Sequence, residues 1–248
     1  MLLVERAILR TLRRPAALLG GLGMSLFFLA VYSAGIGGVG FLPQFGDGGY
    51  LAFLFPMSLV SLAMGSAAGA GQSLYDDMVS GYFRRLYLSP LHRWTFVAAP
   101  IAADAVATGL GSLGILAAGL LFGVPVRFGA MSVLGLLLLS LLWGVTLSAF
   151  SAGVMIRTGR PEGARIVTST VFPLVFLSTT FMPRELITAR WLRAVSWANP
   201  VTYLLEGMRY LLAGTAPAEY LLIGLAFLFA SAGAALAYAL TGTRRVLV

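Results

Sequence analysis

The chain has 248 residues, of which 59% are hydrophobic and 10% are charged, and its formal net charge is +8. Ordinary soluble domains carry about 25% charged residues, so a soluble fold of this size lacks the polar side chains to cover its surface. Composition therefore indicates an integral membrane protein. The 17 basic residues are all arginine and flank apolar segments, which favours membrane topology over nucleic-acid binding. The absence of cysteine excludes disulfides and cysteine metal sites.

The first 14 residues, MLLVERAILRTLRR, have the pattern of an amphipathic helix. Val4, Ile8 and Leu12 form one stripe, and four arginines lie on the opposite side. A helix of this kind lies in the membrane interface with its cations among lipid phosphates. The alternative is the charged start of a signal peptide, but no clear A-x-A cleavage site follows a short apolar core.

Charge-poor segments predict six membrane spans, because one crossing needs about 20 apolar residues. The predicted spans fit within residues 17–35, 48–75, 95–126, 128–156, 166–183 and 220–243. The fifth is short and contains Pro173, and without it the C-terminus would lie outside. In the second, Gly65 and Gly69 are four residues apart, a spacing that allows close helix contact. The sequence thus predicts one all-α membrane domain over residues 1–248.

The distribution of arginines predicts the orientation of these spans. The N-terminus, residues 75–94, residues 157–165 and the C-terminus carry four, three, three and two arginines, whereas the other loops carry none, one and four. Loops rich in arginine stay in the cytoplasm. Both termini and residues 75–94 are therefore predicted to be cytoplasmic.

The polar segment 75–94, YDDMVSGYFRRLYLSPLHRW, predicts a short cytoplasmic helix over residues 76–90. Asp76 and Asp77 suit a helix N-terminus, where they oppose the dipole, and Pro90 ends the helix. Between them, Val79, Phe83 and Leu86 form an apolar stripe, and Arg84 and Arg85 supply two cations. Gly81, in the middle of the predicted helix, lets another surface approach closely. These residues leave two readings equal, a plain connector and a docking helix for a partner.

The segment 184–219 is too polar to span a membrane. Pro183 and Pro200 break it into two predicted helices, 185–198 and 201–212, which form a re-entrant hairpin over residues 183–212 that dips back from the outer face. Non-helical backbone at membrane depth requires burial in protein or a cavity. The alternative is an external loop that lies on the membrane.

Four side chains of this hairpin have predicted places. Trp191 and Trp197 suit the membrane interface, where aromatic belts lie. Glu206 and Arg209 are three residues apart on a helix and are predicted to pair, which lowers the cost of charges near lipid.

Asp104 is the only charge well inside a predicted span. An intramembrane acid is a functional hypothesis by default. It could bind a cationic substrate or pair with an arginine at the cytoplasmic edge, and we favour the pairing.

Several kinds of chemistry are missing from the sequence. A G-x-x-x-x-G-K-[ST] nucleotide loop needs a lysine, and the chain has none. His92, the only histidine, has no G-x-S-x-G partner motif, so we interpret it as a solvated loop residue. A single histidine also excludes most zinc sites. The chain is therefore expected to be neither an enzyme nor a metal-binding protein.

Two patterns resemble a known family. Asp77, Gly81, Arg84, Arg85 and Pro90 are similar in order to the loop after the second span of type-2 ATP-binding-cassette (ABC) export permeases. The later segment FLSTTFMPRELITARWLRAVSWANPVTYLLEGMR resembles the region after their fifth span, through Pro183, Trp197, Asn199, Pro200, Tyr203, Glu206 and Arg209. The resemblance extends to span number and is closest to the daunorubicin and multidrug-resistance subgroup. The short interval from Gly81 to Pro90 departs from the pattern of importers.

The resemblance implies a half-transporter in which two six-span subunits pair, as a homodimer or a heterodimer, each with a separate ATPase subunit. The chain itself would bind no cofactor, and ATP and Mg²⁺ would be bound by the ATPase. The implied ATPase-docking residues are Asp77, Val79, Gly81, Phe83, Arg84, Arg85, Leu86 and Pro90. The implied extracellular gate consists of Pro183, Trp197, Asn199, Pro200, Glu206 and Arg209.

The implied cargo is an apolar or amphiphilic substrate, namely a drug, a lipid or a lipid-linked glycan, that leaves through the cell (inner) membrane. Three alternatives stay open. An ion-coupled secondary transporter needs acids near the midplane of several spans, and only Asp104 qualifies. A membrane-embedded enzyme needs a cluster of catalytic groups, and none is visible. The third alternative is a non-transporting anchor or assembly factor.

Overall fold

The computed structural model describes residues 15–36, 38, 40–45, 48–81, 94–160 and 162–242, together with Glu5 and Leu9. Within these residues the fold is all-helical and contains no β-strand. Eight α-helices form it: α1 (Pro15–Ile36), α2 (Gly49–Val79), α3 (Thr95–Leu121), α4 (Ala130–Thr158), α5 (Glu162–Phe176), α6 (Arg190–Ala198), α7 (Pro200–Leu212) and α8 (Ala218–Gly242). Short 3₁₀ helices lie at Pro43–Phe45 and Arg184–Leu186. Of the predicted helix over residues 1–14, Glu5 and Leu9 are described, and both are helical and exposed.

Four of these helices are long and apolar enough to cross a membrane: α2 with the 3₁₀ turn before it, α3, α4 and α8. Each of them coincides with a predicted span. The helix α1, of 22 residues, matches the first predicted span and carries no charge. The length and composition of these helices indicate a multi-pass membrane protein.

The fifth predicted span has the wrong extent. The helix α5 has 15 residues, begins before residue 166 and ends well before Pro183. The hydroxyl groups of Ser178 and Thr180 both donate to the Val175 carbonyl, at 2.6 and 2.7 Å. These side chains satisfy a carbonyl at the end of the helix, so the chain turns there instead of continuing.

The helices α2 and α4 form the centre of the bundle. In the described chain α2 packs against α1, α3, α4, α5 and α7, and α4 packs also against α8. Their contact faces are fully buried, as at Leu59 and Leu136. Small residues let the helices approach closely. A Cβ atom on Gly111 of α3 would lie 2.7 Å from Cδ2 of Leu62 on α2.

One end of the bundle is covered by residues 177–217, and we call it the hairpin end. There the Tyr50 hydroxyl at the start of α2 donates to the Phe181 carbonyl at 3.2 Å. The Arg127 amide before α4 donates to the Leu211 carbonyl at 3.1 Å. The hairpin is therefore fixed to the starts of the two central helices.

The opposite end, which we call the loop end, holds the ends of α2, α4 and α8 and the start of α3. Arg157 joins α4 to α8 there, because its Nη2 donates to Thr241 Oγ1 at 2.9 Å. Its guanidinium also lies 3.6 Å from the centroid of the Tyr238 ring. The described start of the predicted docking segment, residues 76–81, and the predicted gate thus lie at opposite ends.

The first helix of the hairpin is shorter than predicted. It begins at Arg190 instead of residue 185, and the residues before it form the 3₁₀ turn and an extended stretch at Ile187. Arg193 explains this local geometry, because its Nε donates to the Ile187 carbonyl at 3.0 Å and its Nη2 donates to the same oxygen. The second helix, α7, starts within one residue of its predicted start.

Candidate functional site

The predicted docking helix does not begin at Asp76 or Asp77, because α2 continues unbroken to Val79. The Ser80 amide donates to the Asp76 carbonyl at 3.0 Å and closes the last turn. Both aspartates therefore lie at a helix C-terminus, where the dipole disfavours anions. The side chain of Gln72 offsets part of this cost, since its Nε2 donates to Asp76 Oδ1 at 3.0 Å.

The prediction that Gly81 lies in the middle of a helix is wrong, because Gly81 follows the end of α2. Its φ angle is +68°, the left-handed conformation that favours glycine after a helix end. Val79, beside it, is 69% exposed. The other predicted docking residues lie outside the described residues, so their helix stays a prediction: Phe83, Arg84, Arg85, Leu86 and Pro90.

Asn199 and Pro200 form the corner between α6 and α7. The Asn199 side chain accepts the Val201 amide at 3.0 Å, and its Nδ2 donates to the Leu174 carbonyl at 2.5 Å. It thus caps α7 and ties the corner to α5. Pro200 suits the first helical position, because its missing N–H would have no partner there.

Arg209, on α7, is 2% exposed and has an acceptor for every guanidinium nitrogen. Nη1 contacts Glu206 Oε1 at 2.8 Å and Thr179 Oγ1 at 3.1 Å. Nη2 donates to the carbonyls of Thr179 and Thr180 at 2.7 and 3.2 Å. Nε donates to the Phe53 carbonyl at 3.0 Å, and the guanidinium lies 3.5 Å from the centroid of that ring. The predicted pair of Glu206 with Arg209 is therefore present.

We call Arg209, Glu206, Thr179 and Phe53 the Arg209 cluster. Thr179 completes it, because its hydroxyl donates to Glu206 Oε1 at 2.6 Å. Burying a charge is costly unless it is paired and hydrogen-bonded, and here both conditions are met. The cluster joins the hairpin, the turn after α5 and the start of α2 through one side chain.

Arg184 follows Pro183 at the hairpin end and has a different environment. Its Nη1 donates to the Tyr220 hydroxyl at 3.1 Å, and its guanidinium lies 3.8 Å from the centroid of the Trp197 ring. The Tyr203 hydroxyl donates to the Trp197 carbonyl at 2.9 Å and holds that residue in place. Nε and Nη2 of Arg184 have no hydrogen-bond partner among the described residues.

Asp104 is buried between α2, α3 and α4. Its Oδ2 accepts the Ala70 amide at 2.6 Å and the Ser148 hydroxyl at 3.1 Å. A Cβ atom on Gly69 would lie 2.8 Å from Oδ1, so the glycine permits the contact that its spacing predicted, whereas Gly65 faces open space. No described arginine pairs with Asp104, and the arginines of residues 6–14 and 84–93 lie outside the described residues.

Two hydroxyl pairs continue from Asp104 along α3. Thr108 Oγ1 lies 2.7 Å from Ser66 Oγ, and Ser112 Oγ lies 2.7 Å from Ser140 Oγ. Residues 104, 108 and 112 are four apart and share one helix face. We call this face with its partners the polar seam. The spacing was available in the sequence, but only the structure supplies the partners on α2 and α4.

The described residues contain no group of three or more histidine, cysteine or acidic side chains that could hold a metal ion. The buried polar groups of the Arg209 cluster and the polar seam are used within the chain. Their arrangement suits mechanical connection between helices.

A bundle of long apolar helices, with a helical hairpin packed on one end, is the architecture of a multi-pass membrane protein. The chain matches the family model of the ABC-2 type transporter over residues 1–213. It belongs to the ABC-2 type transporter family.

Three relatives illustrate this membership. The chain is 26% identical to the putative transport permease ycf38 of Cyanophora paradoxa, over 84% of this chain and 72% of the relative. It is 27% identical to the daunorubicin resistance ABC transporter permease protein DrrB1 of Streptomyces coeruleorubidus, over 85% and 74%. It is 23% identical to the probable doxorubicin resistance ABC transporter permease protein DrrC of Mycobacterium tuberculosis, over 84% and 75%.

The chain is thus a multi-pass membrane subunit of an ABC exporter. Family membership implies a separate ATPase as its partner.

Proposed function

We propose that this chain moves an apolar or amphiphilic substrate out of the cytoplasm with the energy of ATP, which is bound with Mg²⁺ by the partner ATPase. Drugs are the first substrate class to test, since two relatives are named for resistance to daunorubicin and doxorubicin. Lipids and lipid-linked glycans are the other classes that suit apolar spans.

The proposed protomer crosses the cell (inner) membrane six times, through α1, α2, α3, α4, α5 and α8. The loop end and both termini are cytoplasmic, and the hairpin end is extracellular. The arginine-rich connections support this orientation. The proposed fifth crossing consists of the short α5 and residues 177–183. These residues pack against α2 and α7, so their non-helical backbone is tolerated at membrane depth.

The observation that carries the proposal is the continuity of α2. This helix runs unbroken for 31 residues and ends at the docking segment. Phe53, which accepts from Arg209, lies near its other end, and a rise of about 1.5 Å per residue places the two about 40 Å apart. We infer that the ATPase moves the loop end and that α2 carries this movement to the Arg209 cluster, which opens the hairpin.

The working unit is proposed to be a pair of these protomers, as a homodimer or with a related permease, with one ATPase on each. Residues 76–90 dock in the ATPase, and the amphipathic helix of residues 1–14 braces the same junction. This division of work agrees with the absence of lysine, and hence of a Walker nucleotide loop, from the chain.

Co-purification of the ATPase with the permease tests the docking segment. Gly81→Trp and Asp77→Arg are expected to release the ATPase or to uncouple its activity from substrate. Gly159→Trp is a matched control, because Gly159 is another left-handed glycine at the loop end with open space around it. If Gly159→Trp also releases the ATPase, or if Gly81→Trp and Asp77→Arg both leave assembly and transport intact, the assignment of docking to residues 76–90 is wrong.

Efflux from sealed vesicles tests the energy source. The complex is expected to transport daunorubicin only with ATP, and a proton ionophore is expected to leave the rate unchanged. ATP-independent transport that collapses with the ionophore would instead identify an ion-coupled transporter.

A further inference from the structure

Arg184 carries a charge that the described chain does not neutralise. Its Nε and Nη2 have no partner there, and Nη1 has only the neutral Tyr220 hydroxyl. Glu185, which follows it in the chain, and Glu219, next to Tyr220, are exposed and form no ion pair with it. Structural arginines inside proteins are usually paired and fully hydrogen-bonded. Arg184 therefore has unused capacity for an anion.

The surface around Arg184 is aromatic on one side. Trp197 is 51% exposed although its ring stacks on the guanidinium, and Trp191, on the same short helix, is 64% exposed. In the described chain α6 packs chiefly on α7, so its outer side is uncovered. Exposed tryptophans beside arginines are typical of a helix at the level of lipid head groups.

The surface on the other side of Arg184 is apolar. Tyr220 lies in the first turn of α8, and Ile223, three residues further on the same side of the helix, is 44% exposed. Ile223 therefore leads from the guanidinium along the outside of a helix that is long and apolar enough to span the membrane. An acyl chain fits this path, whereas a free anion would make no use of it.

We propose that Arg184, which lies between Trp197 and Tyr220, binds the head group of an anionic phospholipid at the hairpin end. The guanidinium donates to the phosphate in the forked geometry that arginine favours. The Trp197 ring stays stacked on the guanidinium, and an acyl chain lies along Ile223. The assignment to the outer leaflet rests on the proposed topology, but the site itself does not.

Binding at this site requires a local movement. Nε and Nη2 are covered by protein, so the guanidinium has to turn outward before both can donate to a phosphate. The Trp197 ring, which lies on the guanidinium, moves with it.

Lipid titration of the full chain tests the proposal. The chain is purified in a non-ionic detergent, and dioctanoyl phosphatidylglycerol, dioctanoyl phosphatidylcholine and inorganic phosphate are added separately and measured by native mass spectrometry. We expect phosphatidylglycerol to bind more tightly than phosphatidylcholine. Arg184→Gln should weaken phosphatidylglycerol binding by at least about tenfold, the effect of one charge-assisted hydrogen bond.

Arg190→Gln is the matched control, because it removes an equal charge from the exposed surface of α6. General attraction between one arginine and an anionic surface corresponds to less than about a fivefold change. Equal losses of phosphatidylglycerol affinity in Arg184→Gln and Arg190→Gln would show that the lipid is held by nonspecific attraction and not by a site. Equal affinity of the wild type for the two lipids, or displacement of the lipid by an equal concentration of phosphate, would also overturn the proposal.

Arg184→Lys covers the case in which Arg184→Gln fails to fold. Lysine keeps the charge but lacks the planar fork, so we expect weaker binding of phosphatidylglycerol than in the wild type. Unchanged binding would contradict the proposed geometry. These measurements need no ATPase, so a failure here leaves the exporter proposal standing, and a failure of the docking test leaves this site standing.

Discussion

Two arginines of the hairpin end have similar first contacts and different surroundings. Arg209 lies 3.5 Å from the Phe53 ring centroid, and Arg184 lies 3.8 Å from that of Trp197. Arg209 has a carboxylate and four further acceptors around it, three of them backbone carbonyls. Arg184 has one hydroxyl acceptor and two donors without a partner in the described chain.

This difference separates a connecting residue from a binding residue. Arg209 is used completely by the protein, so its removal disturbs α2, α7 and the turn after α5 together. Arg184 contributes charge that the described chain leaves uncompensated, so its removal should affect binding more than folding. The same substitution at the two positions measures how far this contrast holds.

Arg209→Met is expected to have the largest effect. It leaves Glu206, whose side chain is 14% exposed, without its cationic partner and removes the contacts of Arg209 to Phe53 and Thr179. Breaking a buried ion pair in this way costs about 3–5 kcal/mol. The apparent free energy of unfolding, measured by titration with sodium dodecyl sulfate in micelles, should fall by this amount.

The double variant Arg209→Met/Glu206→Leu is the control for that loss. Replacing both charges by apolar side chains leaves no unpaired charge, so most of the stability should return. Transport should nevertheless stay impaired, because the connection to the Phe53 carbonyl is gone. A single variant that loses less than about 1 kcal/mol would show that the Arg209 cluster does not hold the hairpin.

Thr179→Val should have an intermediate effect. The Thr179 hydroxyl joins Glu206 to Arg209, and the side chain is fully buried. Its loss leaves charged groups with fewer partners, at a cost of about 1–3 kcal/mol. Thr179→Ser keeps the hydroxyl and loses one methyl group, which costs about 0.8 kcal/mol. Equal melting temperatures for the two variants would exclude the hydroxyl as the stabilising group.

Charge-poor runs predicted the four helices that are long and apolar enough to cross a membrane, because charged side chains are costly in lipid. The helix ends were harder to predict. The helix α2 continues through Asp76 and Asp77, and α5 ends while the sequence is still apolar. Charge marks where the membrane ends, whereas local hydrogen bonds, such as those of Ser178 and Thr180, mark where a helix ends.

The contacts of the candidate site were likewise only partly predictable from the sequence. The Glu206–Arg209 pair was predictable because both residues lie on one helix three positions apart. The Phe53 carbonyl was not, since a backbone acceptor 156 residues away leaves no mark in side-chain identity. Arg184 was not singled out either. Arg184 stands out because two of its guanidinium nitrogens have no hydrogen-bond partner in the described chain, and this can be seen only in the folded hairpin.

Arg184→Met should not lower stability. The variant removes two unsatisfied donors, each of which costs about 1–3 kcal/mol when left alone, whereas it loses a cation–π contact worth about 0.5–1 kcal/mol and one hydrogen bond to the Tyr220 hydroxyl. The same detergent titration used for Arg209→Met gives the comparison. A loss as large as that of Arg209→Met would mean that Arg184 is a second structural connection and not a binding residue.

Tyr220→Phe should have the smallest effect on stability, about 0.5 kcal/mol, the low end for a neutral acceptor on a partly exposed group. It also frees Nη1 of Arg184 from its only hydrogen-bond partner in the described chain. The guanidinium then turns outward more easily, so phosphatidylglycerol should bind at least as tightly as in the wild type. Weaker binding in native mass spectrometry would mean that the Tyr220 hydroxyl contacts the lipid and that freeing the arginine gives no gain. The variant therefore separates the two polar groups of the site, which a change at Arg184 alone cannot do.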